Sequence, residues 1–169
     1  NGMGAIYFDK GDDTRAITHY LRSLKIAESL GDRNRKHTIE ANLGAVYERK
    51  EKTKDLALSY YERALEGFRE LGRTDEFSTT SGNIGEIHLE SGNTDLAEKY
   101  FTMAIENSGE SINACFPLTK LGEVYSRRGM PAKAKEFHNR SIKIASQSDA
   151  PRELTEALIG LARVQVQEK

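Results

Sequence analysis

The sequence has a single cysteine, Cys115, among its 169 residues. An internal disulfide framework and any multi-cysteine zinc site are therefore excluded, and a reducing compartment is expected. Basic excess is missing too: 25 Lys and Arg stand against 26 Asp and Glu, a net charge of −1. Nothing is left over to neutralise a phosphate backbone or an anionic membrane surface, so neither nucleic acid nor membrane is an expected partner. No apolar run approaches the roughly 18 residues of a membrane span, and no signal-peptide pattern opens the chain. A cytoplasmic protein is the expectation that results. Leu, Ile, Val and Phe total only 36 residues, about 21% of the chain, just above the level of roughly 20% below which highly charged chains stay disordered. With charge near zero, the composition describes a folded chain with a lean core. The length suits one domain or one repeat array and argues against a multidomain enzyme.

What the sequence does have is internal repetition. Met3-Gly4-Ala5-Ile6-Tyr7 returns as Leu43-Gly44-Ala45-Val46-Tyr47, Ile84-Gly85-Glu86-Ile87-His88, Leu121-Gly122-Glu123-Val124-Tyr125 and, degraded, Leu161-Ala162-Arg163-Val164-Gln165. The spacings are 40, 41, 37 and 40 residues. After each of the first four copies comes a small residue, a ring and a small residue: Ala16, Tyr20, Ser23; Ala57, Tyr61, Ala64; Ala97, Phe101, Ala104; Ala134, His138, Ser141. Steps of four and three place each trio on one helical stripe, where the small residues admit a neighbouring helix and the ring fills the gap. Between the two blocks stand Gly11-Asp12, Gly92-Asn93 and Gly129-Met130-Pro131, with Gly31-Asp32 and Gly72-Arg73-Thr74 between repeats. Each pairs a left-handed helix stop with a residue suited to begin the next helix.

Nine helices are predicted, over 1–10, 13–30, 33–50, 54–71, 74–91, 94–108, 111–128, 131–147 and 151–167, with no competing strand pattern. Pro117 requires that the seventh either bend there or begin near Cys115. The six residues Ser78-Thr79-Thr80-Ser81-Gly82-Asn83 are weak helix formers inside a predicted helix. They read either as a recess on a binding wall or as a site of close helix packing.

The chain resembles the tetratricopeptide repeat family, whose pattern is Leu-Gly-x-x-Tyr in the first helix, a turn glycine, then Ala, an aromatic and Ala in the second. The resemblance covers essentially the whole chain. Because the period is about 40 rather than the family's basic 34, it is similar to the long-helix subgroup found in kinesin light chains, Leu-Gly-Asn repeat adaptors and bacterial peptide-sensing regulators. The pattern's tryptophan is missing throughout, His88 and Gln165 stand where tyrosine is usual, and the turn Glu51-Lys52-Thr53-Lys54-Asp55 lacks glycine and carries one extra residue. The resemblance implies an all-α, right-handed superhelical solenoid of antiparallel helix hairpins. It would be a single array over 1–169, with repeats at about 1–31, 32–72, 73–109 and 110–149 and a terminal helix at 150–169. Relative to the pattern the chain begins inside a first helix and ends on a fifth first helix with no second one, so a segment of a longer protein is expected.

Chemistry is sparse. Histidines His19, His37, His88 and His138 have no second histidine or cysteine at metal-ligand spacing. His88 and His138 read as packing residues in aromatic positions, and His19 and His37 as surface or edge residues. Cys115 reads as a small buried apolar group. Asp9, Asp12 and Asp13 lack the spacing and closing glutamate of a calcium loop and suit turn and capping duty. No catalytic constellation, metal site or cofactor is predicted.

The resemblance implies that the first helices of the hairpins line an inner, concave face that holds an extended peptide or helix of a protein partner. The family's inward offsets fall on Thr38, Ala41, Asn42, Ala45, Glu48 and Arg49 in the second repeat, and on Thr79, Gly82, Asn83, Glu86, Leu89 and Glu90 in the third. They fall on Phe116, Thr119, Lys120, Glu123, Ser126 and Arg127 in the fourth, and on Glu156, Ile159, Gly160, Arg163, Val166 and Gln167 in the last helix. Asn42 and Asn83 match the subgroup's asparagine that bonds a peptide backbone, its amide offering both donor and acceptor. Lys120 in that place suits a carboxylate. Thr79, Arg49, Glu86, Glu90, Glu123, Arg127 and Arg163 complete the expected peptide-binding set, and the alternative for each is a solvated helix position. The Lys and Asn pairing by which chaperone-binding members grip a C-terminal carboxylate is not reproduced, since Ala41 with Ala45 and Gly82 with Glu86 stand at those offsets. Net charge runs +2 over residues 1–50, −7 over 51–110 and +4 over 111–169, which favours a partner segment with a preferred direction. The alternative function is self-association through the terminal helices, as a regulatory segment of a larger signalling protein.

Overall fold

The computed structural model describes residues 2–49 and 51–167. The expected helix ends at Asn1 and Lys50, and the last two positions of the terminal segment, lie outside the described residues. Among those described there are nine α-helices: α1 (Gly2–Asp9), α2 (Asp13–Ser29), α3 (Arg33–Glu48), α4 (Lys54–Glu70), α5 (Thr74–Glu90), α6 (Thr94–Ser108), α7 (Cys115–Arg127), α8 (Pro131–Gln147) and α9 (Pro151–Gln167). The chain clusters into two compact units, one through Thr80 and the other from Ser81.

Local chemistry accounts for the helix ends. Asp12 and Asp32 cap α2 and α3, each Oδ1 accepting from the backbone N–H three residues on, Arg15 and Arg35, at 3.0 Å. At the end of α1, Gly11 adopts φ +74°. Its N–H donates to Phe8 O at 3.0 Å while that of Asp12 donates to Tyr7 O at 2.9 Å, the two-bond stop for which a residue without Cβ is suited. After α8 the same left-handed position is taken by Asp149, at φ 49°. The glycine-free second turn folds as a 3-10 turn over Glu51–Thr53, and the Thr53 hydroxyl ties it back by donating to Tyr47 O at 2.6 Å.

The seventh helix begins at Cys115 rather than at 111, preceded by a 3-10 turn over Ile112–Ala114. Pro117 is therefore its third residue, where the missing N–H would have had no intrahelical partner in any case.

Each hairpin is set by a glycine on its first helix and a ring on its second. A Cβ at Gly4 would lie 2.6 Å from the Tyr20 ring, one at Gly44 2.6 Å from Tyr61, one at Gly85 2.8 Å from Phe101 and one at Gly122 2.7 Å from His138. The Leu-Gly pattern is thus a spacing device: the backbone of one helix rests on the ring of the other. Beside each of these contacts sits a second, stacked pair: Tyr7 on His19, Tyr47 on Tyr60, His88 on Tyr100 and Tyr125 on Phe137, at 5.2–5.6 Å between centroids. Such pairs add to the apolar area they bury.

In the first unit, Ala16, Tyr20, Leu24, Ala27, Ile39, Leu43 and Val46 form one buried cluster. Among the described residues the second unit carries one around Phe101, Leu121 and Val124 and another around Cys115, Leu118 and Ile144.

One histidine reading is corrected. His37 is not a surface or edge residue: it is 9% exposed and lies on Gly67, where a Cβ would come within 2.2 Å of its ring. Its Nδ1 is 2.9 Å from Oε2 of Glu40, a carboxylate only 1% exposed. His19 is half-buried, at an edge, and its ring stacks on that of Tyr7. In the weak-forming stretch of α5, Ser78, Thr80 and Ser81 are buried, and Gly82 brings its backbone against the Phe116 ring, 3.2 Å from where a Cβ would stand. Burial of these small side chains is the signature of close packing.

Candidate functional site

The second unit contains a cavity of about 650 Å³. One wall is the stripe of α7 that carries Phe116, Thr119, Lys120, Glu123, Ser126 and Arg127, spaced by threes and fours so that all six share a face. The opposite wall is the stripe of α9 with Glu156, Ile159, Gly160, Arg163 and Gln167. Glu86 of α5, Arg152 and Val164 complete the rim, and His138 of α8 reaches it between the two walls. The His138 ring fits there because both neighbours are glycines. A Cβ at Gly122 would lie 2.7 Å from it and one at Gly160 2.3 Å.

The charged groups are mostly committed to one another. Nζ of Lys120 lies 2.5 Å from Oε1 of Glu86, and the same ammonium stands 5.6 Å from the centre of the Phe116 ring. Arg127 donates from Nη1 to Leu89 O at 2.8 Å and from Nη2 to Glu123 at 2.6 Å. Arg152 donates from Nε to Glu156 at 3.2 Å. Hydroxyls are also engaged: Ser126 donates to Oε1 of Gln167 at 2.8 Å and Thr119 to Oγ of Ser141 at 3.0 Å. Arg163 is different, being exposed with no hydrogen bond or ion pair among the described residues.

His138 is 2% exposed, and its Nδ1 is buried without a hydrogen-bond partner among the described residues. Burial holds its imidazole below the ordinary value of 6.5, against a smaller opposing pull from Glu123. The ring is therefore neutral at pH 7 and serves as a packing group. Burial likewise pushes the Cys115 thiol up, and its Sγ donates to Ser141 O at 3.7 Å. A thiol held protonated in this way is a poor nucleophile.

Of the residues expected at a peptide site, Glu86, Lys120, Glu123, Arg127 and Arg163 meet around this one cavity. Asn83 is half-buried on α5, Glu90 is exposed at its end, and Thr79 is exposed with its hydroxyl donating to Asp75 O at 2.9 Å. Asn42 is half-buried on α3 in the first unit. Arg49, just beyond α3, is drawn into its own unit: it donates to Phe8 O at 2.8 Å, lies 3.3 Å from Asp13 and sits 3.5 Å over the Phe8 ring. Sequence reasoning missed Arg152 at the rim. The signal was present in its placement four residues before Glu156, the spacing of a helical ion pair. Of the inward positions assigned to α9, Val166 is 70% exposed and lies off the lining, while its neighbour Val164 faces in. Among the described residues no group of histidines, cysteines and carboxylates is arranged to hold a metal ion. No described helix is long and apolar enough to cross a membrane.

The family model described as tetratricopeptide repeat matches residues 1–70, 38–110 and 75–147. No curated protein matches the chain by sequence. Among solved structures the chain is similar to BtubC (BKLC) from P. vanneervenii, with TM-score 0.76 and 21% identity over 96% of this chain and 75% of that one. It is also similar to a Signal Transduction ATPase with Numerous Domains protein with a tetratricopeptide repeat sensor from Pyrococcus horikoshii, with TM-score 0.84 and 18% identity over 96% of this chain and 26% of that one. A third similar structure is a Rap protein complexed with competence and sporulation factor, with TM-score 0.82 and 20% identity over 95% of this chain and 49% of that one. The chain thus spans about a quarter of the second protein and about half of the third, and identities at this level speak to the fold alone.

Proposed function

Because the chain belongs to the tetratricopeptide repeat family, we propose that it is a non-enzymatic interaction scaffold of the cytoplasm that binds an extended peptide or helix of a protein partner. The observation that carries this reading is the cavity of the second unit. It is walled by the first-helix stripe of the fourth hairpin and by α9, and most of its charged and hydroxyl groups are already held by one another. Preorganised side chains on rigid helices lower the ordering cost of binding. The Rap protein, whose fold this chain shares, was solved with a factor bound. In this proposal Asn42 and Asn83, on α3 and α5, bond the partner's backbone. Thr79, Glu86, Glu90, Lys120, Glu123, Arg127 and Arg163 select among side chains, and Arg49 does so from the end of α3. No cofactor is required.

The test is a pull-down with the intact chain beside the Asn42→Ala, Asn83→Ala double variant, followed by mass spectrometry. A protein retained by the first and lost from the second, with the urea midpoint unchanged, supports the assignment. Equal retention by both removes the asparagines from it.

A second reading is favoured by the apolar side chains left uncovered on the terminal helices: Met3 and Ile6 on α1 are 50% and 46% exposed, and Leu158 on α9 is 47% exposed. Here the chain self-associates through those helices. Sedimentation equilibrium separates the two, since a strict monomer at high concentration rejects self-association.

A further inference from the structure

Seven charged groups surround the cavity of the second unit: Glu86, Glu123 and Glu156 against Lys120, Arg127, Arg152 and Arg163. Each carboxylate is held by one cation, Glu86 by Lys120, Glu123 by Arg127 and Glu156 by Arg152. One guanidinium, that of Arg163, is left over among the described residues. One turn earlier on the same stripe is Ile159, a large apolar side chain left 48% exposed at the cavity wall. A cavity with one uncompensated cation beside one uncovered apolar group is complementary to an anion carried next to an apolar group.

We propose that this cavity selects an acidic side chain with an apolar neighbour within two residues of it, the carboxylate bound by Arg163 and the apolar group resting on Ile159. The inference rests on the peptide-binding reading and names which part of the partner the second unit reads. The planar guanidinium fork suits a carboxylate, which it can engage through two parallel hydrogen bonds. Lys120 is the less suitable anchor, because its ammonium is already neutralised by Glu86 and capturing a second carboxylate would set two anions side by side. The spacing follows from geometry. Four residues of α-helix rise about 6 Å, and two residues of extended chain advance about 6.6 Å, so a pair within two residues spans Ile159 and Arg163. An internal acidic residue, rather than a chain end, fits a segment that also runs past Asn83.

The test uses an immobilised array of 12-residue amidated peptides in which a central Asp, Glu, Asn, Gln or Lys is combined with Leu, Ile or Ser one or two positions away, the remaining positions randomised. It is probed with the labelled intact chain and with Arg163→Gln, Arg163→Glu and Ile159→Ser, each confirmed folded by circular dichroism. Both positions are solvent-facing and tolerate these changes. The expected result is that the intact chain retains Asp and Glu peptides about fivefold over their amide counterparts, the scale of a partly exposed ion pair. Arg163→Gln should abolish that ratio, Arg163→Glu should turn it toward Lys, and Ile159→Ser should erase only the Leu and Ile preference. Retention without an acidic preference, or a preference that survives Arg163→Gln, overturns the inference and leaves the peptide-binding reading standing. Failure of the intact chain to retain any peptide overturns both. A parallel set with free C-termini separates the two carboxylate sources, and a preference confined to that set overturns the side-chain assignment.

Discussion

His138 occupies the place that Tyr20, Tyr61 and Phe101 fill in the other hairpins, yet it brings a ring nitrogen into a site that offers no partner among the described residues. A buried unsatisfied polar atom costs about 1–3 kcal/mol. His138→Phe should therefore stabilise the chain by about 1 kcal/mol, read as a higher urea midpoint at pH 7. The substitution also predicts a pH effect of definite sign. The folded-state pKa of His138 is depressed, so below about 6.5, the ordinary unfolded value, the unfolded chain takes up a proton that the folded chain refuses. Stability then falls as pH drops from about 6.5 toward the folded value, by at most about 1.4 kcal/mol per unit. That part of the acid loss should vanish in the Phe variant when midpoints are compared from pH 7 to pH 5. Gly44→Ala tests the other side of the same contact. With Tyr61 2.6 Å from the new Cβ, it should cost about 1–3 kcal/mol through overpacking. The glycines and rings were readable because they recur. His37 was not, because its burial is created by the missing side chain of Gly67, thirty residues away on another helix, and no local periodicity reports that meeting.

Among the helices, capping and turn chemistry predicted where most begin and where they stop to within two residues. Asp32→Ala should remove the hydrogen bond to the Arg35 N–H and cost about 1 kcal/mol, seen as a lowered thermal midpoint. Asp149→Gly should act in the opposite direction. Asp149 holds a left-handed conformation at the end of α8 that glycine reaches without steric cost, so a gain of about 0.5–1 kcal/mol is expected in the same measurement. The start of α7 was the least legible boundary. Residues 111–114 carry nothing that forbids a helix, and Pro117 permits two outcomes, a bend or a late start. The choice of a late start is made by tertiary packing, which buries Ala114 and Cys115 in the cluster with Leu118 and Ile144. The walls of the cavity were legible through the family resemblance, whose inward offsets fall on one helical stripe of α7, whereas the commitment of Lys120 to Glu86 and of Arg127 to Leu89 depends on a partner helix or stretch of backbone that no offset specifies.

At the scale of the whole molecule, energy in a repeat array is shared chiefly between neighbouring elements. The damage from Gly44→Ala should accordingly be local. Amide exchange should speed most in α3 and α4, less in α2, and little in α7 and α8, and a uniform loss of protection would show a single cooperative unit instead. Composition at this scale predicted a lean core, and the structure sets rings against bare backbone with a second ring pair stacked beside each contact. That arrangement has an optical consequence. The chain holds seven tyrosines and no tryptophan, so its emission background near 350 nm is dark. One ring of each stacked pair is a convenient host for a single indole, at Tyr7, Tyr47, Tyr100 or Phe137. Four single-tryptophan chains would each light one hairpin, turning the repeat into four separately addressable fluorophores within one molecule.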